Sequence, residues 1–302
     1  MDRLQALRLF VRVVDLGSFS KAAADLGIGQ PTATKQVAQL EQQLGARLLH
    51  RSTHGVAPTE IGALYYAKCK LIVHHVDDAD SMATLLQSQV QGGLRISTSV
   101  AFGRRVLAPL VMRFMELNPK LQVELMVEDR YVNLVEQGID VAIRMGRLPD
   151  SNLGARLLGT NPWTLVASPQ YLQRRGTPAL PSELPAHEAL VYTTAQPDAR
   201  WHFTGPQGDA AIVPVKGCLR SNNLSTLLSA ARRGMGVAIL PNYVAHKSLH
   251  AGLLQPLLAD WSLPEQEIHG VYPSPQLVPA KVRGFVDWLQ GRFGPAWWAE
   301  LD

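Results

Sequence analysis

The sequence predicts an α/β protein preceded by an all-α N-terminal part, and three observations predict it. The first 45 residues carry only helical periods broken by glycine turns. One unbroken helical period then runs from about residue 60 to 87. From residue 92, apolar strand runs alternate with helical segments. A chain of 302 residues suits two or three domains, and 46% hydrophobic against 18% charged residues argues against disorder. The longest apolar runs, such as Val237–Leu240, are far shorter than a bilayer span. Met1-Asp2-Arg3-Leu4 lacks the apolar core of a secretory leader. Two cysteines, Cys69 and Cys218, make neither a disulfide framework nor a thiolate metal site. The expectation is a soluble protein of a reducing cytoplasm, with no membrane, metal or cofactor. A net charge of +4 accommodates nucleic acid but decides nothing alone.

Leu4, Leu7, Phe10, Val11 and Val14 are spaced three and four apart, which predicts an amphipathic helix stopped by Gly17-Ser18-Phe19-Ser20. A short second helix, 21–26, carries small alanines, and Gly27-Ile28-Gly29 turns the chain. Gln30-Pro31 opens a third helix, with proline where its missing N–H costs nothing. Its apolar face is Ala33, Val37, Leu40 and Leu44, and Gly45 ends it. Small residues before a glycine turn let two short helices cross closely, as a helix-turn-helix requires. The opposite face shows Thr32, Lys35, Gln39 and Gln42, with Thr34 and Gln36 at its edges. These side chains suit bases and phosphates, although a solvated polar face has the same composition.

A short basic hairpin with a glycine tip follows between Ala46 and Thr59, and it reads as a wing in which Arg51 and His54 meet phosphates or a minor groove. Arg47 reads as structural instead. Thr59 then caps a long helix to Gln87. Along it Tyr65, Cys69, Ile72, Val76, Ala79, Ala83 and Leu86 repeat at four-three spacing, the seam of a coiled coil. A seam can also pack within its own chain, but a helix joining two domains has little else to bury it, so a dimer is expected. His74-His75 point apart on a helix and read as a solvated pair.

Gly92-Gly93 is the linker to the α/β part. Strands are expected at 94–97, 121–127 and 140–144, with helices at 104–117 and 132–137, in a mainly parallel arrangement. A second unit starts near Trp163 and includes the helix 224–233 and the strand 236–240. The chain then returns with a strand at 268–272 and a helix at 278–293. Two lobes joined by two crossings form a cleft, and such clefts take small ligands at strand C-termini.

No catalytic constellation is visible: there is no G-x-S-x-G, no phosphate loop and no H-E-x-x-H. Gly234-Met235-Gly236 precedes a strand rather than following one, and Cys218 has no base in reach of the sequence argument. The cleft candidates differ. Ser97-Thr98-Ser99 leads from a strand into a helix, where an anion is stabilised, although Ser99 as a plain cap fits equally. Asn222-Asn223 repeats the arrangement in the second lobe, and Met145-Gly146-Arg147 follows the third strand. The effector candidates are Ser99, Val100, Ala101, Phe102, Gly146, Asn222 and Asn223, for a small anionic or polar organic molecule.

Phe19-Ser20-Lys21-Ala22-Ala23, Gln30 through Val37, Leu40-Glu41 and Leu44-Gly45 resemble the LysR-type transcriptional regulators. Leu48-Leu49-His50-Arg51-Ser52 and Pro58-Thr59-Glu60-Ile61-Gly62 continue the resemblance. Asp140 through Gly146 and Gly234 through Pro241 carry it into the C-terminal part. It implies a winged helix-turn-helix at 1–59 and a dimerising linker helix and hinge at 60–91. A two-lobed, periplasmic-binding-protein-like effector domain then fills 92–302, with lobe I at about 92–161 and 267–302 and lobe II at about 162–266. It also implies bacterial promoter DNA with an inverted repeat, a small-molecule effector, a homodimer or homotetramer, and RNA polymerase as a further partner. Gln30, Pro31, Thr34 and Lys35 fall on the family's base- and phosphate-contacting positions. With Ser20, Thr32, Arg51, Thr53 and His54 they form the DNA-binding set. Gly29 and His54 stand where the family usually has serine and arginine. Two rival readings remain: a small-molecule binding protein whose helical N-terminus only dimerises, and an enzyme with an N-terminal regulatory module.

Overall fold

The computed structural model describes residues 2–52, 55–83, 90–130, 133–148, 152–275 and 278–300, without the side chains of 52, 78 and 80–83. The chain divides into two compact units, Met1–Gln87 and Ser88–Asp302.

In the first unit, α1 (Arg3–Leu16) starts at Asp2, whose carboxylate accepts the N–H of Leu4 at 2.9 Å. α2 (Phe19–Asp25) starts at Ser18, which accepts the N–H of Lys21. α3 (Gln30–Leu44) carries Pro31 in its first turn and ends at Gly45, whose φ of +62° suits a residue without Cβ. Ala22, Ala23 and Ala33 are fully or almost fully buried beside Phe10, Val37 and Leu40, so the alanines are what lets the helices approach. Arg12 grips both carboxylate oxygens of Asp25 at 2.5 and 2.8 Å, tying α1 to α2. That grip holds the Asp25 carboxyl below its usual range.

The wing is an antiparallel hairpin, β1 (Leu49–Ser52) with β2 (Gly55–Pro58). Thr59 accepts the N–H of Gly62 at 2.9 Å and donates to the Arg47 carbonyl at 2.8 Å, capping α4 (Glu60–Ala83). The expected dimer seam on α4 is corrected in part. Tyr65 packs its ring 5.8 Å from Phe10, and Cys69 is wholly buried in the unit's own core, where burial pushes its thiol up to about 11. Tyr66 bonds Asp15, and Arg8 pairs with Asp77 at 2.6 Å. The stripe through residues 65, 69, 73 and 77 therefore belongs to α1, because α1 has an apolar face of its own to cover. Ile61, Leu64 and Ile72 stand exposed at 58%, 70% and 46%, along one flank of that stripe. Val76 is half-buried, Ala79 is exposed, and the side chain of Ala83 lies outside the described residues.

The second unit holds two lobes. In lobe I, β3 (Gly92–Thr98) runs into a helical segment made of α5 (Val100–Phe102), a π-helical turn (Gly103–Leu107) and α6 (Ala108–Leu117). A Cβ on Gly103 would stand 2.4 Å from Val127 Cγ1, so only glycine lets this turn pack on the neighbouring strand. β4 (Leu121–Val127) and β5 (Val141–Met145) flank β3 in parallel. β6 (Gly154–Asn161) leads out to lobe II, where β7 (Trp163–Ala167), α7 (Pro169–Arg175), β8 (Glu188–Tyr192), β9 (Arg200–Thr204) and β10 (Ala210–Pro214) follow. Then come β11 (Lys216–Ser221), α8 (Leu224–Arg232), β12 (Val237–Pro241), α9 (Asn242–His250) and β13 (Gln255–Pro256). β14 (Gln266–Tyr272) and α10 (Ala280–Gln290) return to lobe I.

The two sheets repeat one plan, β4-β3-β5-β14-β6 and β11-β8-β12-β7-β13. In each, four strands run in one direction and one runs against them, in line with the mainly parallel expectation. The opposed strands are β14 and β7, the ones that follow the two crossings into their sheets. The expected helix at 132–137 is also corrected: residues 134–138 form a turn, with Asn133 bonding the N–H groups of Val135 and Glu136. Lobe I is fastened by a buried ion pair. Lys281 meets Asp140 at 3.1 Å and donates to the Gly93 carbonyl, while Asp140 accepts the N–H of Arg95 at 2.7 Å. Among the described residues no helix is long and apolar enough to cross a membrane.

Candidate functional site

The N-terminal unit presents one hydrogen-bonding surface. Ala33, Val37 and Leu40 are fully buried, which turns the remaining face of α3 outward. Gln30, Pro31, Thr32 and Lys35 are exposed there, Thr34 is half-exposed, and Ser20 is exposed on α2. Gly29, the residue before α3, makes no side-chain cap, so the first N–H groups of the helix are left for an outside acceptor. Residues 1–59 carry seven Lys and Arg against four Asp and Glu. That excess suits a phosphate backbone.

Arg51 lies on β1 with two attachments. Its guanidinium sits 4.8 Å over the Phe19 ring and 3.6 Å from Glu41. It is therefore positioned by the fold while 43% of its side chain stays exposed. Glu41 is a residue that the sequence argument passed over. Its Oε1 accepts the N–H groups of Leu48 and Leu49 at 2.7 and 3.1 Å, fixing where the wing leaves α3. A lone acid eight residues before a strand carries no pattern that would announce this. Thr53 and His54 lie outside the described residues.

The second unit holds a cavity between its lobes, with room of about 70 Å³. That exceeds the roughly 10–15 Å³ a single water needs on a comparable measure. Lobe I contributes Ser99 after β3, Glu128, Asp129 and Arg130 after β4, and Ile143, Arg144 and Met145 from β5. Asn161 and Trp163 come from the first crossing and Gln266 from the second. Tyr192, Thr194, Leu224 and Tyr243 come from lobe II. Parallel strands ending together gather these groups, as the topology of α/β sheets dictates.

Three polar atoms here are buried and without a hydrogen-bond partner: Ser99 Oγ, Asn161 Oδ1 and Trp163 Nε1. Asn161 is only 1% exposed. A buried polar atom left unpaired costs roughly 1–3 kcal/mol. The Trp163 and Tyr192 rings stand 5.9 Å apart, a flat apolar wall beside these atoms. Burial pushes the hydroxyls of Tyr192 and Tyr243 above their ordinary range, keeping both as donors. Arg144 is buried and donates to Ser97 at 3.3 Å.

Of the expected effector residues, Ser99 lines this cavity, while Val100 is outside the lining and its N–H is taken by Asp129. The others are corrected. Ala101 and Phe102 point into the core, with Phe102 packed against Tyr243, Phe293 and Trp297. Gly146 ends β5 outside the lining, Asn222 is exposed, and Asn223 is occupied as the cap of α8. The reason is local: Asn223 turns its Oδ1 back to the N–H of Thr226, while the next residue, Leu224, reaches the lining. The residues missed lie at the ends of β4 and β8 and in the two crossings, and the rule that ligands sit at strand C-termini would have found them. Among the described residues no cluster of His, Cys, Asp and Glu is placed to hold a metal.

Residues 4–63 match the family described as bacterial regulatory helix-turn-helix protein, lysR family, and residues 87–294 match the LysR substrate binding domain. An uncharacterized HTH-type transcriptional regulator of Haemophilus influenzae is 36% identical over 94% of this chain and 98% of its own. The HTH-type transcriptional activator AaeR of Escherichia coli is 31% identical over 97% and 94%. The full-length structure of AphB, a Vibrio cholerae virulence activator, superposes with a TM-score of 0.62 at 31% identity, over 95% and 98% of the two chains. The structure of CrgA from Neisseria meningitidis gives 0.61 at 31%, over 96% and 98%.

Proposed function

We propose, because this chain belongs to the LysR family of DNA-binding transcriptional regulators with an effector-binding domain, that α3 and the wing read an inverted repeat in promoter DNA. A small molecule held between the lobes then modulates that binding or the DNA bend. The observation that carries the reading is the division of α3 into a sealed apolar face and an open face of Gln30, Thr32, Thr34 and Lys35. The relatives are transcriptional regulators, so the role is regulation rather than catalysis. DNA as the partner places the protein in the bacterial cytoplasm, with RNA polymerase as a further partner.

The exposed row Ile61, Leu64, Ile72 and Ala79 is the surface on which a second copy pairs, giving a homodimer that can double to a tetramer. Two copies of α3 then address half-sites about one helical turn apart, or a multiple of it. An effector that binds one lobe arrangement better shifts the population toward it.

The test is a gel shift on the promoter upstream of the chain's own gene, at several salt concentrations. Gln30→Ala is expected to weaken specific binding by about 1–3 kcal/mol and relax sequence choice. Lys35→Ala is expected to lower the salt slope by about one. Parent-like binding by both variants would remove α3 from the interface. Ile72→Glu is expected to sediment as a smaller species than the parent.

A further inference from the structure

After α10 the chain folds back over β6, the edge strand of the lobe I sheet. Gly159 leaves it room there: a Cβ would stand 2.6 Å from Phe293 Cβ and 2.7 Å from its carbonyl oxygen. Ala296 then takes a left-handed φ of +56°, which a residue with a side chain disfavours and which persists only where the surroundings enforce it. What this turn places is Trp297, buried and braced by Phe293 in a T-shaped pair at 5.1 Å. The indole Nε1 donates to the Thr160 carbonyl at 2.9 Å. Thr160 lies two residues before Pro162 and pairs with Glu267 at the start of β14, so the bond sits where both crossings meet the lobe I sheet.

The same indole meets lobe II. It stacks on Tyr243 of α9, with centroids 6.1 Å and planes 24° apart. α9 is rooted at the first crossing, since Asn242 donates its N–H to the Pro162 carbonyl at 2.9 Å. Tyr243 is buried, lines the cavity, and makes a T-shaped pair with Phe102 of lobe I at 5.4 Å. The two contacts of Trp297 respond differently to a change of lobe angle. The Thr160 bond is indifferent to it, because both partners belong to lobe I. The ring stack is not, because turning lobe II about the crossings slides Tyr243 across the indole, and stacked rings favour a narrow range of offsets. We propose that Phe293–Trp297 is a strap that fixes the angle between the lobes, with the Trp297–Tyr243 stack as its closure. Because Tyr243 also lines the cavity, that closure is within reach of whatever occupies it. The strap depends neither on the reading of α3 nor on the chemistry of an effector.

The experiment is pulsed electron–electron resonance on the full-length protein with one spin label in each lobe. Cys218 of lobe II is exposed and Cys69 is buried, so the labels go on Cys218 and on Lys120→Cys, an exposed position just before β4. Labelled chains are diluted into unlabelled ones, so that only pairs within one chain are read. The strapped chain is expected to give one narrow distance. Trp297→Met keeps an apolar side chain but removes the ring and the indole N–H, and is expected to shift and widen that distance. A chain ending at Gly294 lacks the Trp297 contacts outright and is expected to do the same, which keeps the test decisive should the methionine variant not fold. Trp297→Phe keeps a ring for Tyr243 and is expected to restore the narrow distance. Thermal melts establish that each variant is folded. A narrow, unshifted distance in a folded Trp297→Met or truncated chain would overturn the strap. A widened distance in Trp297→Phe would overturn the ring stack as its closure.

Discussion

In lobe II, α8 starts from Asn223, whose own Oδ1 accepts the N–H of Thr226 at 3.1 Å, three residues on. In lobe I, the helical segment after β3 starts from Ser99, whose hydroxyl makes no such bond, and the free N–H of Val100 goes instead to Asp129. β3 is the second strand of its sheet and β11 the edge strand of its own, so the contrast is between an inner and an outer way of leaving a sheet. A junction closed by its own residue is sealed and contributes only stability. One completed from a distant strand keeps a polar atom in hand, on a residue that lines the cavity. The contrast extends to each lobe's polar interior: lobe I depends on the long-range pair Lys281–Asp140, whereas in lobe II Tyr171 bonds His187 and the N–H of Glu188, only 16 and 17 residues on.

The largest effect should come from the long-range side. Lys281→Met strands a buried carboxylate and is expected to cost about 3–5 kcal/mol. Native-state hydrogen exchange should report the loss in β3, β5 and α10 and spare β8 and β12. Parent-like protection in lobe I would break the comparison.

A middle effect tests the sealed junction. Asn223→Ala is expected to cost about 1 kcal/mol in a denaturant melt, the ordinary worth of a helix cap, with ligand response retained. Loss of ligand response would give Asn223 a part in the cavity after all.

The smaller effect concerns acid. Burial, and then Arg175, hold the His187 imidazolium below its ordinary pKa of 6.5, and its Nδ1 shares a hydrogen bond with the Tyr171 hydroxyl. Since the unfolded chain binds the proton more readily, this contribution is fully present above pH 6.5. It is lost as pH falls from 6.5 through the folded value. Melting temperatures for lobe II should drop over that window, and His187→Gln should flatten the drop.

The smallest effect on stability sharpens the comparison most. Ser99→Ala removes a hydroxyl that bonds nothing in the protein, so its melt should stay within about 0.5 kcal/mol of the parent. Ligand binding should weaken nonetheless. A large destabilisation would show that Ser99 is a cap like Asn223.

Most of the N-terminal unit was legible because its signals are local. Pro31 and Gly45 bound α3, the three-four spacing of Ala33, Val37 and Leu40 names its buried face, and Thr59 caps α4. Spacing on α4 was ambiguous for a physical reason. A helix of 24 residues carries more apolar positions than one contact needs, and period alone does not say which stripe meets α1. Tyr65 and Cys69 turned inward, and Ile61, Leu64 and Ile72 were left outside.

The chain's own order of residues determined the reading helix, the wing, the two α/β lobes and the absence of a catalytic pattern, since each rests on neighbours within a few residues. Only the tertiary structure decided what faces the cavity. Asp129 reaches Val100, Trp163 meets Tyr192, and Asn161 keeps an unpaired oxygen, because strands far apart in sequence end at one edge. Hydrogen bonds across that edge depend on register and sheet order, which no local spacing encodes.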